Sequence, residues 1–145
     1  MKMKPAALGA LLLLMAAQPV SADQGRPEVG PYVYAYSGDF NSSVQIVRLG
    51  KREEAEALVL ISGIDHELDG KVLKTIIQAG NENQRSYMLK DGDEVREIMR
   101  LDGNSGRLFV SSAPFGPTSY ALSYNGDLSR SVEAQHILTR WLQDP

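Results

Sequence analysis

The sequence predicts an α+β fold, mainly antiparallel β, with about seven or eight strands in a meander and one C-terminal amphipathic helix packed on the sheet. Three observations carry this. Short segments rich in Val, Ile and Tyr recur between turns containing Gly, Asp and Asn. The spacing of apolar residues becomes helical only after residue 130. The chain has 145 residues and no cysteine, so one domain held by burial and backbone pairing, without disulfides, is expected.

The elements follow in order. Residues 32–36 (YVYAY) are aromatic and β-branched and read as the first strand, closed by the turn signal Ser37-Gly38-Asp39. Residues 44–49 (VQIVRL) form the second, with Val44 and Ile46 on one face and Arg48 next in the same alternation. The charged link 50–54 leads to residues 57–61 (ALVLI), an almost unbroken apolar run that belongs in a central position. Residues 71–79 (KVLKTIIQA) fit a helix stripe through Leu68, Val72, Ile76 and Ala79. They also fit a strand, and the β-branched Val72, Thr75, Ile76 and Ile77 with a turn-forming Gly70 favour the strand. Residues 85–90, 94–101, 107–111 and 119–124 continue the meander across turns at Asp91-Gly92 and 102–106, with residues 113–117 (APFGP) as a loop. Ala134, Ile137, Leu138, Trp141 and Leu142 form one helical stripe, so residues 131–143 read as a helix anchored by Trp141.

The first 22 residues read as an address. Lys2 and Lys4 precede an uncharged apolar run over residues 6–17, Pro19 breaks it, and Val20-Ser21-Ala22 supplies the small residues of a cleavage site. A secretory signal peptide cut after Ala22 is expected, with a flexible leader over 23–31 and a single domain over 32–145. The apolar run is shorter than the roughly 20 residues of a membrane span. A disulfide-free exported chain of this size fits the periplasm. Its formal charge of −3 grows more negative once the two signal lysines leave. With no basic stripe, nucleic acid is a disfavoured partner.

No motif reaches a catalytic mechanism. Asp65, Glu67 and Asp69 are weak metal candidates, because three carboxylates in five residues can supply oxygen ligands. His66 lies between them, but neither strand nor helix spacing brings its imidazole to a neighbouring carboxylate. A solvated acidic turn explains the run more simply. His136 falls off the apolar stripe and faces solvent. Tyr32, Tyr34 and Tyr36 alternate and therefore share one face, which suits either contact with a partner or packing beneath the C-terminal helix. Phe115, held between Pro114 and Pro117, is a second candidate contact.

These readings converge on a non-enzymatic periplasmic binding module of inhibitor, immunity or accessory type. Its partner is a protein or a cell-envelope component, its partner-binding residues are Tyr32, Tyr34, Tyr36 and Phe115, and no cofactor is expected. One alternative is a small hydrolase or metal-assisted enzyme that uses His66 or His136 with nearby carboxylates. Another is a carrier of lipid or other apolar ligands, which needs a cavity inside the sheet.

Overall fold

The computed structural model describes residues 25–112 and 116–145; the expected signal peptide lies outside them. Eight strands run in sequence order: β1 (Tyr34–Gly38), β2 (Ser43–Leu49), β3 (Glu56–Ser62), β4 (Val72–Ala79), β5 (Gln84–Asp91), β6 (Glu94–Asp102), β7 (Ser105–Ser112) and β8 (Gly116–Tyr124). Each pairs antiparallel with the next, and β8 returns to β1 through Tyr36↔Tyr124 and Gly38↔Leu122, so the meander closes into a barrel. Closure gives every strand a neighbour on both sides, although the described β6–β7 pairing covers only Met99–Asp102 with Ser105–Leu108. The segment expected over 71–79 is the strand β4, from Val72 to Ala79. The expected loop over 113–117 is shorter, because β8 begins at Gly116 and Pro117 pairs with Ser111.

Alternation sorts the side chains. Val44, Ile46, Ala57, Val59, Ile61, Tyr87, Met99, Leu101, Leu108, Val110 and Leu122 occupy the barrel interior. Thr75 joins them because its hydroxyl, fully buried, donates to the Ala57 carbonyl at 3.0 Å. The continuous run of β3 now has a cause. Ala57, Val59 and Ile61 point inward, whereas Leu58 and Leu60 point outward into a second apolar cluster with Val47, Leu49, Ala134, Ile137 and Leu138. A strand covered on both faces has no polar side to show.

The expected C-terminal helix is present as α2 (Ala134–Gln143), and a shorter α1 (Gly126–Ser131) precedes it, separated by Val132 and Glu133, both extended. Asn125 caps α1 by accepting from the Leu128 amide at 3.0 Å. The Ser129 hydroxyl accepts from the Ala35 amide at 2.8 Å and so ties α1 to β1. α2 lies on the outer face of β3 through the fully buried Ile137 and Leu138, while Trp141 is only partly buried at the margin. The anchor is therefore the Ile137–Leu138 pair, with the indole at its edge.

The segment expected as a flexible leader makes specific contacts over residues 26–30. Arg26 reaches Thr139 Oγ1 at 2.7 Å and Gln135 Oε1 at 3.0 Å, Val29 bridges to Leu49, and the Gly50 amide donates to the Glu28 carbonyl at 2.6 Å. Its docking follows from α2, which supplies the polar groups that Arg26 meets.

A bulge shapes β6. Tyr87 opposes Met99 and Met88 opposes Glu97, leaving Ile98 as the extra residue. Consecutive Ile98 and Met99 are both fully buried and both belong to the interior cluster, which places neighbours on one face as a bulge does. The described β6–β7 pairing ends at Met99↔Leu108, beside the bulge. On a regular strand residues three apart face opposite sides. The bulge instead brings Glu97 and Arg100 to the same outer face, where they pair at 2.6 Å, with the Arg100 guanidinium 5.7 Å from the centre of the Phe109 ring.

Arg100 hydrogen bonds hold the Glu97 carboxyl below the usual carboxylate range, opposed by partial burial and helped by Ser86. A lowered folded-state value means the pair stabilises the fold above the ordinary carboxylate pKa and loses that contribution as pH falls through the lowered one. Arg100→Gln is expected to move the Glu97 titration upward in a carboxyl NMR experiment; an unmoved midpoint would place the guanidinium elsewhere.

Candidate functional site

An up-and-down barrel gathers alternate connections at each end. The β3–β4 connection plugs one end, since Ile64 and Leu68 join the interior cluster. The Asp69 carboxylate braces that loop, accepting from the amides of Gly63 at 2.6 Å and Ile64 at 3.2 Å, and His66 Nδ1 accepts from the Leu68 amide at 3.1 Å. Two of the groups read as chemistry in the sequence thus serve loop geometry. Asp65 and Glu67 are exposed, and no group of three His, Asp or Glu residues able to hold a metal occurs among the described residues.

The opposite end collects the chain entering β1, the β4–β5 and β6–β7 turns and the chain leaving β8. A cavity of about 380 Å³ opens there. Its deep wall is Tyr36, Tyr87 and Leu101, all buried, and its rim carries Tyr34 and Tyr124 with Glu82, Asn83, Arg85 and Asn104. A neighbouring hollow of about 430 Å³ shares Tyr34 and Tyr124 and adds Tyr32 and Arg130. Five of the six tyrosines of the chain therefore stand at one end of the barrel.

The sequence-predicted tyrosines separate. Tyr32, Tyr34 and Tyr36 do share the inward-alternating face, but exposure falls along it from 70% to 53% to 6% as the chain enters the barrel. Tyr36 is an internal residue and not a surface contact. Its hydroxyl donates to the Gly103 carbonyl at 3.1 Å, and its ring meets Tyr124 edge-to-face at 5.7 Å and 78°. The helices use the other face of this segment, through Val33 and Ala35. Phe115 lies outside the described residues.

Burial pushes the Tyr36 and Tyr87 phenols above the ordinary value of 10.0, and Arg85 pulls both partly back. At neutral pH the wall of the cavity is thus two neutral hydroxyls beside a guanidinium. Arg85 is exposed, and none of the described ion pairs includes it.

Sequence reasoning missed Arg85, Asn83, Asn104 and Tyr124. Their convergence depends on strand register, in particular Arg85↔Leu101 and Tyr36↔Tyr124. It also missed Phe40, which is 88% exposed with left-handed backbone at φ 59° in the β1–β2 turn. A repeated Asn in the turns after β4, β6 and β8 was the available signal, since in a meander those turns share an end.

His136 is exposed and lines a separate cleft between α2 and the outer face of β2 and β3, with Glu133, Arg130 and Arg140; His66 is not part of that lining. The fold and the site together define a small closed antiparallel barrel, braced by an external helix pair, with one plugged end and one tyrosine-rimmed mouth. No family model, curated protein or solved structure matches the chain.

Proposed function

We propose that this protein is an exported, periplasmic binding module without a catalytic role, and that its tyrosine-rimmed mouth holds a protein partner. One observation carries the reading: Tyr32, Tyr34 and Tyr124, 70%, 53% and 41% exposed, stand together around a concave end of the barrel. Large aromatic rings left in water at one place are the usual mark of an interaction surface. Tyrosine gives rigid, amphipathic contact area at low conformational cost, and Asn, Gly and Arg beside it supply adaptable hydrogen bonds. The mouth rests on packed strands, so little ordering is needed on binding. Export is supported by the charge, apolar run and small-residue exit of residues 1–22. An inhibitor, immunity or accessory protein is the concrete form. The carrier alternative gains nothing from the interior, whose positions are occupied by Ile46, Val59, Ile98, Met99 and Leu108.

The test uses immobilised mature protein in envelope extract from the producing cells. Wild type is expected to retain a protein that the Tyr34→Ala/Tyr124→Ala variant loses, with the melting curve of the variant still cooperative. Retention of nothing by wild type, or equal retention by the variant, overturns the reading.

A further inference from the structure

Resting on the mouth as the binding face, the geometry points to Arg85 as the receptor for a carboxylate side chain carried by the partner. Arg85 sits on the inward alternation of β5, two residues before buried Tyr87, so its side chain belongs to the cavity and not to the outer wall. It is a cation without a carboxylate among the described ion pairs. Glu82 lines the same cavity and makes no described ion pair with it. The neighbouring phenols are neutral at physiological pH, so the deep wall of Tyr36, Tyr87 and Leu101 carries no anion against the guanidinium.

A guanidinium is built for this task. Its fork of N–H donors matches the two oxygens of a carboxylate, and such charge-assisted pairs are the stronger hydrogen bonds. The Asn83 and Asn104 side chains at the rim can each add an amide donor. The space of about 380 Å³ takes a glutamate side chain with room for its backbone. Glu82 on the same lining opposes any anion in proportion to its charge, so the planar two-oxygen fit to the guanidinium, and not charge alone, favours a carboxylate. Tyr34 and Tyr124 then flank the acidic residue and exclude water around the ion pair, which strengthens it.

The experiment titrates isotope-labelled mature protein with acetyl-Gly-Glu-Gly-amide, with its glutamine counterpart and with glucuronate, following the Gly103 and Asn104 amides and Arg85 Nε by NMR. The glutamate peptide is expected to shift all three and to bind at least about tenfold more tightly than the glutamine peptide, as a charged hydrogen bond worth about 1.5–3 kcal/mol requires. Arg85→Gln should lose at least about tenfold, Arg85→Lys should keep part of the affinity, and Glu82→Gln should tighten binding severalfold by removing a like charge. Arg85 is exposed, so these variants leave the core intact. Equal binding of both peptides, or an Arg85→Gln variant that binds as wild type does, overturns the assignment. Shifts from glucuronate alone support the carboxylate site and overturn the protein partner. Silence from all three probes, with a captured protein still lost on Tyr34→Ala/Tyr124→Ala, overturns the Arg85 role and leaves the mouth as the binding face.

Discussion

Ile98→Asp is expected to leave the barrel largely unfolded at neutral pH. Ile98 is fully buried, and the bulge that turns it inward sets it among Met99, Leu108 and other apolar side chains. An unpaired carboxylate there costs about 3–5 kcal/mol or more. Small domains possess about 5–15 kcal/mol in total. The cost also has a direction in pH. Burial raises the folded-state pKa of the new carboxyl, so the group is tolerated best below the unfolded value of about 3.9 and its penalty grows as pH rises above that. Urea melts of wild type and variant at pH 4 and pH 8, followed by far-ultraviolet circular dichroism, should show a gap that widens at the higher pH. A gap under about 1 kcal/mol at both pH values would mean that this side chain points to solvent. Ile98→Val is the matching control, with an expected loss of about 0.5–1.5 kcal/mol.

Leu138→Ala is expected to cost about 2–5 kcal/mol. Leu138 has no exposed surface and packs with Ile137 against Leu58 and Leu60. Loss of its side chain leaves a cavity between a helix and a strand whose other face is fixed inside the barrel, so neither partner can move to fill it. Leu142 lies one turn further along the same stripe but is partly exposed. Leu142→Ala should therefore stay within about 1 kcal/mol, and equal losses at the two positions would show that α2 is not seated as described.

The legible part of the fold was the part written in local pattern. The doubly apolar run of β3, the β-branched residues of β4 and the helical stripe through Ile137 and Leu138 each carry their answer within a dozen residues. Closure was not legible, because β1 and β8 meet across almost the whole domain and neither carries a mark of the other. The bulge at Ile98 was hidden as well, since Ile98-Met99 reads as an ordinary apolar pair until the register with Tyr87 is known. The site divided along the same line. Tyr32, Tyr34 and Tyr36 were visible as a face, but a face that runs from solvent into a barrel changes from exposed to buried along its length. Arg85 and Tyr124 enter the site only through pairing, so their role could not be read before the register.

The most direct measurement is tyrosine nitration of the mature protein followed by peptide mapping, with and without the captured partner. In the free protein Tyr32, Tyr34 and Tyr124 should react first, with Tyr36 and Tyr87 last, because burial hides their rings and disfavours the reactive phenolate. Bound partner should shield the first three and leave the other two unchanged. Reaction of Tyr36 and Tyr87 as fast as Tyr34, or a bound partner that leaves Tyr32, Tyr34 and Tyr124 as reactive as before, would contradict a tyrosine-rimmed mouth as the working face of the barrel.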